Sequence, residues 1–370
     1  MKQDVKIYIL VGTRPNFIKI TQFRRVAAQY PGISVKIIHT GQHFDKNMAD
    51  VFFTQLDIRP DFFLNVEPAA PVQQMAAIMV KLDQLIMEQG RPDLLIVPGD
   101  VNSTLAGALV ANKSNIPLAH LESGLRSYDR SMPEEFNRVL TDDMSDLFFV
   151  TEQSGIDNLL KEGKCKDAIH LVGNTMIDTL VHFEPAIEAC DILERLQLEP
   201  DDYVLMTMHR PGNVDDPAGL QQLIELLNYL ANKHKVVFPM HPRTRKRLAE
   251  FNLSGKLQDK EKLILTEPAG YFEFQKLIKY SKLVITDSGG IQEETTYRRK
   301  PCFTLRPNTE RPVTVTIGSN MLLPFSLEKI AEQLELVEQG LFKKGTIPPL
   351  WDGKSTERIL QIITDFAAAT

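Results

Sequence analysis

The amino-acid sequence predicts an α/β protein made of two doubly wound parallel-sheet units in tandem. Three observations carry this expectation. Short β-rich runs alternate with longer helix-competent stretches from the first strand onward. The alternation starts afresh after His170-Leu171-Val172-Gly173-Asn174. The chain has 370 residues, more than one ordinary hydrophobic core accommodates, so two domains are expected.

In the first half, Val5–Val11 is an apolar run that carries Lys6 and lacks a small-residue cleavage site, so it reads as a strand and not as a signal peptide. An amphipathic stretch at 16–30 follows, then a strand at 35–39 and a helical stretch at 46–56. Helices are expected at 75–89, 103–112 and 134–144, and strands at 93–97, 117–121 and Leu147–Val150. The second half repeats the rhythm. A strand at 203–208 precedes a helix at 218–233, and strands at 236–239, 263–265, 283–285 and Cys302–Leu305 are separated by helices. The domains are therefore expected at 1–172 and 173–354. A last helix at 355–370, with Ile359, Leu360, Ile363 and Phe366 at helical spacing, is expected to pack back on the first domain.

Composition narrows the function. The net charge of -6 argues against nucleic acid or an anionic membrane as the main partner, so any phosphate site must be a local basic pocket in an acidic protein. No apolar run reaches membrane-spanning length. Cys165, Cys190 and Cys302 are scattered and odd in number, with neither a disulfide framework nor zinc spacing, which suits a reducing cytoplasm.

Open doubly wound sheets bind ligands at the carboxyl ends of their strands, and that is where the chemical groups gather. The run Leu283-Val284-Ile285-Thr286 ends in Asp287-Ser288-Gly289-Gly290, then Ile291-Gln292-Glu293-Glu294. Adjacent glycines let backbone N–H groups approach an anion, and the first turn of the following helix adds unpaired donors. Ser288 adds a hydroxyl, and Glu293 and Glu294 lie where a carboxylate can reach sugar hydroxyls. The motif reads equally as a diphosphate-ribose cradle or as a plain capped turn. Arg14, in Gly12-Thr13-Arg14-Pro15 after the first strand, offers a planar fork for phosphate, with Lys19 within the next helical turns. Asp100 and Glu122 end successive strands, and Glu134 opens a later helix. Asp100 also suits an N-cap, and Glu134 ordinary first-turn chemistry, whereas capping leaves Glu122 unexplained. Carboxylates pushed together have divergent proton affinities, as acid–base work requires. His209 and His241 stand at two matched strand ends beside arginines, which favours an anion site over a metal. Tyr271 and Phe274 could lie against a flat base, although core packing is the commoner role. The simplest arrangement sets the two crevices face to face, one gripping a nucleotide diphosphate and the other acting on the attached group.

Taken in order, Gly12-Thr13-Arg14-Pro15, Gly41-Gln42-His43, Gly99-Asp100, Glu122-Ser123-Gly124-Leu125-Arg126, Pro133-Glu134-Glu135 with Asn137-Arg138, Gly173-Asn174-Thr175, His209-Arg210, Asp287 to Glu294 and Thr309-Glu310-Arg311-Pro312 make the chain similar to the non-hydrolysing UDP-N-acetylglucosamine 2-epimerases, nearly end to end. The resemblance implies two Rossmann-like domains of the GT-B type facing across a cleft, a cytoplasmic homodimer, a part in polysaccharide biosynthesis, and interconversion of UDP-GlcNAc and UDP-ManNAc without cofactor or metal. In that family UDP leaves by anti elimination to give 2-acetamidoglucal, then adds back. By motif position, Asp100, Glu122 and Glu134 are the implied acid–base carboxylates, and His209 assists at the leaving UDP. Arg14, Ser288, Gly289 and Gly290 hold the diphosphate, Glu294 the ribose hydroxyls and Phe274 the uracil. Lys19, Arg138, His241 and Arg311 complete the substrate site. Asn16 stands where many members have Glu, and Phe44 follows His43 where many have Arg. Several such departures lie near a regulatory UDP-GlcNAc site of bacterial members, and they also suit a modified substrate such as a UDP-diacetamido uronic acid. Three further readings compete: a hydrolysing relative that releases ManNAc and UDP, a glycosyltransferase of the same architecture, and a UDP-sugar sensor without turnover.

Overall fold

The computed structural model describes residues 4–41, 53–257 and 261–369, so the motif residues Gln42 and His43, with Phe44, and the expected helix at 46–56 up to residue 52 lie outside the described residues, while residues 53–55 are helical. The chain packs as two compact units. The first comprises Met1–His182 and Pro349–Thr370, the second Phe183–Pro348. The first division therefore falls after His182 and not near Gly173, because the helix Thr175–His182 packs on the helix Arg14–Ile20 of the first unit.

The first unit holds strands β1 (Val5–Val11), β2 (Ile33–His39), β3 (Phe62–Phe63), β4 (Leu94–Pro98), β5 (Leu118–Leu121), β6 (Leu147–Val150) and β7 (Ile169–Leu171), all parallel, in the order β3-β2-β1-β4-β5-β6-β7. The second holds β8 (Tyr203–Met206), β9 (Lys235–Pro239), β10 (Leu263–Thr266), β11 (Leu283–Thr286), β12 (Cys302–Leu305) and β13 (Asn320–Leu323), also parallel, in the order β10-β9-β8-β11-β12-β13. Counted from its own first strand, each sheet begins 3-2-1-4-5-6, the Rossmann order. The strand order reverses between β1 and β4 and again between β8 and β11. These two switch points are where such sheets bind ligands.

The strands are covered on both faces, which is why they read as continuous apolar runs. In the second unit Val204, Met206, Val236, Phe238, Leu283 and Ile285 face Leu220, Leu223 and Leu227 of the helix Pro217–Lys233. The alternate residues Tyr203, Leu205, Val237 and Val284 face Leu277 and Ile278 of the helix Tyr271–Tyr280. In the first unit Tyr8, Leu10, Leu95 and Val97 pack on Ile78, Leu82 and Ile86 of the helix Pro71–Gln89 and on Ala106 and Val110 of the helix Asn102–Lys113. The amphipathic stretch expected at 16–30 divides into two helices, Arg14–Ile20 and Phe23–Ala27, and the hydroxyl of Thr21 between them bonds Thr179 of the helix Thr175–His182 at 2.5 Å. No helix among the described residues is long and apolar enough to cross a membrane.

The chain end returns to the first unit. The helix Ser355–Ala369 packs on the helices Phe23–Ala27 and Thr175–His182. Its first backbone N–H groups, from Ser355 and Thr356, donate to the buried carboxylate of Asp178 at 3.0 and 2.6 Å. Just before it, Trp351 is 1% exposed and its indole N–H donates to the carbonyl of Thr151 at 3.0 Å. Trp351→Ala should leave a large void and an orphaned carbonyl there. We expect a loss of about 3–5 kcal/mol in the first unit, read as an earlier urea transition by circular dichroism with the second unit's transition unmoved.

Candidate active site

In the second unit the site is organised by Asp287, which follows β11 and is fully buried. Its carboxylate accepts from the backbone N–H groups of His209 at 3.0 Å and Arg210 at 2.8 Å, from the Asn213 amide at 3.1 Å, and stands 2.9 Å from His209 Nδ1. Burial alone would raise this carboxyl, but the bonds from His209 and Arg210 outweigh it and hold it below the ordinary aspartate range. The Arg210 side chain also donates to the Asp287 carbonyl at 2.9 Å. The turn after β8 is thereby tied to the turn after β11 across the switch point. With Nδ1 on Asp287, Nε2 is the remaining ring nitrogen of His209, on a side chain 37% exposed.

His241 lies with its ring 5.1 Å from that of His209. It caps the helix Pro242–Glu250: its Nδ1 accepts from the Arg243 backbone N–H at 3.1 Å, which leaves Nε2 as the donor. Burial lowers its proton affinity, and the neighbouring His209 lowers it further. His241 is thus a neutral donor beside His209.

Ser288 is the N-cap of the helix Gly289–Tyr297, so Gly289 and Gly290 carry the first N–H groups of its open end. Gly289 is required by close approach. A Cβ there would come within 2.9 Å of the Arg311 guanidinium and of Glu310. Arg311 is buried and bonded to Glu293 at 2.9 Å and to Glu310, so its charge supports the glycine turn from behind. Gln292 fixes the same helix by donating to the Ser288 carbonyl at 3.2 Å. Phe274 is half-buried against the core beside Leu277. Glu294 is buried near Gln275 and Arg298. Burial pushes its carboxyl up to about 7, with only partial opposition from those two neighbours.

In the first unit Glu122 and Asp100 each have a cation. Glu122, just past β5, is 6% exposed and pairs with Lys19, itself buried on the helix Arg14–Ile20. Glu122 sits at φ 72°, left-handed backbone that a glutamate adopts only when its surroundings enforce it. Gly124 enforces part of this. Its φ is 76°, and a Cβ there would meet the Gly155 carbonyl at 2.3 Å. Asp100 follows β4 and bonds Arg138 at 2.5 Å. Arg138 also bonds Glu135 at 2.7 Å. The structure separates the neighbouring pair on the helix Pro133–Met144. Glu135 is locked by the N–H groups of Ser127 and Tyr128, each at 2.9 Å, while Glu134 remains half-exposed. Arg14 is exposed at the start of its helix after β1.

The structure therefore brings Lys19 to Glu122, Arg138 to Asp100, and His209 to His241, each within one unit. It shows no ion pair joining Glu134 to either of those cations among the described residues. The sequence reading missed Asp287 as the clasp of the histidine turn; its place at the very end of an apolar strand was the available signal. It also missed Asn16, which takes the N–H groups of Gly12 and Thr13 at 3.3 and 3.2 Å and donates to the Pro98 carbonyl at 3.1 Å. No group of three or more His, Cys, Asp or Glu side chains among the described residues could hold a metal ion.

Glu294 yields a signed pH dependence. Its carboxyl titrates at about 7 in the folded chain, against an ordinary 4.5. Between these values the folded chain keeps a proton that the unfolded chain has lost, so this group's effect is to lower stability as pH rises through that window. Glu294→Gln should gain on the wild type in urea midpoint between about pH 5 and about pH 8. An unchanged difference between the two proteins across that range would refute the burial argument.

With this geometry in hand, known proteins offer a comparison. The family model described as UDP-N-acetylglucosamine 2-epimerase matches residues 25–364. The UDP-N-acetylglucosamine 2-epimerase of Methanocaldococcus jannaschii is 40% identical over 366 residues, 97% of this chain and 99% of that protein. The UDP-2,3-diacetamido-2,3-dideoxy-D-glucuronate 2-epimerase of Pseudomonas aeruginosa is 39% identical over 333 residues, 89% of this chain and 91% of that protein. A crystal structure of the M. jannaschii UDP-GlcNAc 2-epimerase in complex with UDP-GlcNAc and UDP aligns with a TM-score of 0.89, at 40% identity, covering 98% of this chain and all of that one. The switch-point motifs, the paired Rossmann order and the near-complete match agree, and the chain belongs to the UDP-N-acetylglucosamine 2-epimerase family.

Proposed function

We propose that the chain interconverts UDP-GlcNAc and UDP-ManNAc by non-hydrolysing epimerisation at C2. The observation that carries this is the division of chemistry between the two switch points. One bears an anion cradle with a carboxylate-held histidine, Ser288-Gly289-Gly290 and His209 on Asp287. The other bears carboxylates, Asp100 and Glu122, each beside a cation.

The chemistry needs both sets. A C2–H on a sugar is barely acidic, so a carboxylate cannot remove it unless the bond from C1 to UDP is already breaking. The electron pair of that bond leaves with UDP, positive charge builds at C1, and the C2–H pair becomes the C1=C2 bond of 2-acetamidoglucal. Fixed donors aimed at the departing diphosphate lower this barrier most. Ser288, the N–H groups of Gly289 and Gly290, and Arg14 are assigned that role. His209 supports the leaving phosphate through Nε2, with its other nitrogen on Asp287. His241 supplies a neutral donor beside it. Glu294 takes the ribose hydroxyls and Phe274 lies against uracil. Return of UDP to C1 with proton delivery to the opposite face of C2 gives the epimer, and the proton count balances over the cycle. Asp100, Glu122 and Glu134 serve the two faces. Arg138 and Lys19 pair with the first two and orient them, and Arg311 stiffens the cradle.

Incubation with UDP-GlcNAc in heavy water, followed by NMR, should show deuterium at C2 of both UDP-GlcNAc and UDP-ManNAc with no free sugar at early times. Free ManNAc from the start would establish the hydrolysing reaction instead. Exchange only with UDP-2,3-diacetamido-2,3-dideoxy-D-glucuronate would transfer the reading to that substrate, which the P. aeruginosa relative's name specifies. Glu122→Gln should lower turnover by about 10²–10⁴-fold while UDP binding by calorimetry changes little. Full activity in that variant would remove Glu122 from the chemistry, and UDP binding without turnover in the wild type would indicate a sensor.

A further inference from the structure

We infer that His120 is a positioning residue: a buried, doubly protonated imidazolium that locks the turn bearing Asp100 to the turn bearing Glu122. The inference rests on the reading of those two carboxylates as proton-transfer groups. His120 lies on β5, two residues before Glu122, and is fully buried. Its Nδ1 stands 2.6 Å from Asp142 Oδ1 and its Nε2 2.8 Å from the carbonyl oxygen of Gly99. A carbonyl can only accept. The other oxygen of Asp142, Oδ2, accepts from the Gly124 N–H at 3.1 Å and Arg126 at 2.7 Å, donors that favour the ionised carboxylate, so Oδ1 facing the ring is an acceptor as well. Both ring nitrogens must therefore donate, and only the imidazolium does so. A neutral ring would set one lone pair against an acceptor in a buried site, at the full cost of an unmade bond.

The surrounding charges make this state sustainable. Asp142 is fully buried, and burial would raise its carboxyl, yet His120 and Arg126 hold it below the ordinary range. Arg126 in turn bonds Glu162 at 2.6 Å. The cluster thus holds His120, Asp142 and Arg126 in the interior with Glu162 at its solvent edge, two cations and two anions that balance across the group.

The lock acts on the backbone beside Asp100 and Glu122. Three successive carbonyls of the turn after β4 are each taken by a different side chain. Pro98 bonds Asn16 at 3.1 Å, Gly99 bonds His120 at 2.8 Å, and Asp100 bonds Asn137 at 2.8 Å. The His120 ring holds the residue immediately before Asp100. Its partner Asp142 holds the N–H of Gly124, two residues after Glu122. The separation of the two carboxylates is thereby fixed by charge-assisted bonds, stronger than neutral ones. A misplacement of about 1 Å in such a constellation costs about 10²-fold in rate.

Two measurements test this on the intact chain. With ¹⁵N-labelled histidine, at a mildly alkaline pH where a free imidazole is neutral, wild-type His120 should show two protonated ring nitrogens, its signals identified by their loss in His120→Gln. One protonated and one lone-pair nitrogen would overturn the inference without any variant having to fold. In His120→Gln, amide hydrogen exchange should quicken at 98–102 and 121–124 and remain unchanged in the second unit, while kcat for C2 exchange falls about 10²-fold and the Kd for UDP stays within about twofold. Unchanged exchange at both turns, or wild-type kcat, would overturn it. If the wild type turns over no UDP-sugar, the epimerase reading fails, and the ring signals and amide exchange still decide the role of His120.

Discussion

A carboxylate buried beside the carboxyl edge of a parallel sheet must be saturated with donors, whether it follows a strand, as Asp287 does, or sits on a covering helix, as Asp142 does. Asp287 meets it with the backbone of His209 and Arg210, the His209 ring and Asn213. Asp142 meets it with His120, Arg126 and the Gly124 N–H. In each unit one buried anion gathers two turns that the sheet alone would leave loosely related. The cost of burying the charge is offset by fixing groups that are distant in sequence. The groups proposed to touch substrate lie beside these clusters: His209 on Asp287 in one unit, and Asp100 and Glu122, next in sequence to residues the second cluster holds, in the other.

The same sheet order has been put to two different uses. In the second unit the switch point offers N–H donors and a neutral imidazole donor, a set suited to a departing anion. In the first it offers carboxylates, Asp100 and Glu122, each paired with a buried arginine or lysine. Neither set alone completes an elimination at a sugar carbon, because one stabilises a leaving group and the other moves a proton. The proposed reaction requires both.

Much of this was legible in the sequence, and the reasons are specific. Buried parallel strands such as Leu283–Thr286 and Leu94–Pro98 are uninterrupted apolar runs, and the polar residues that end them sit at the ligand edge by topology. What escaped was set by tertiary contact. Nothing local marks the break at Thr21, where a hydroxyl meets Thr179. Nothing local separates Glu135, enclosed by Ser127, Tyr128 and Arg138, from Glu134 beside it. The joint expected near Gly173 lay too early because Thr175–His182 is bound by partners more than a hundred residues away, among them Thr21 and Ser355. His120 resembled an ordinary buried residue on an apolar strand, since its partners, Gly99 and Asp142, lie 21 residues before it and 22 after.

The return of the chain end to the first unit sets an order of assembly. During synthesis the ribosome releases the first sheet early, but Asp178 then lacks the Ser355 and Thr356 amides that occupy it, and the Thr151 carbonyl lacks Trp351. The second unit, Phe183–Pro348, is continuous and has all its own residues before the last segment emerges. The half that begins first is therefore finished last, and a chain cut short by its final helix would carry a complete second unit and an unsealed first one.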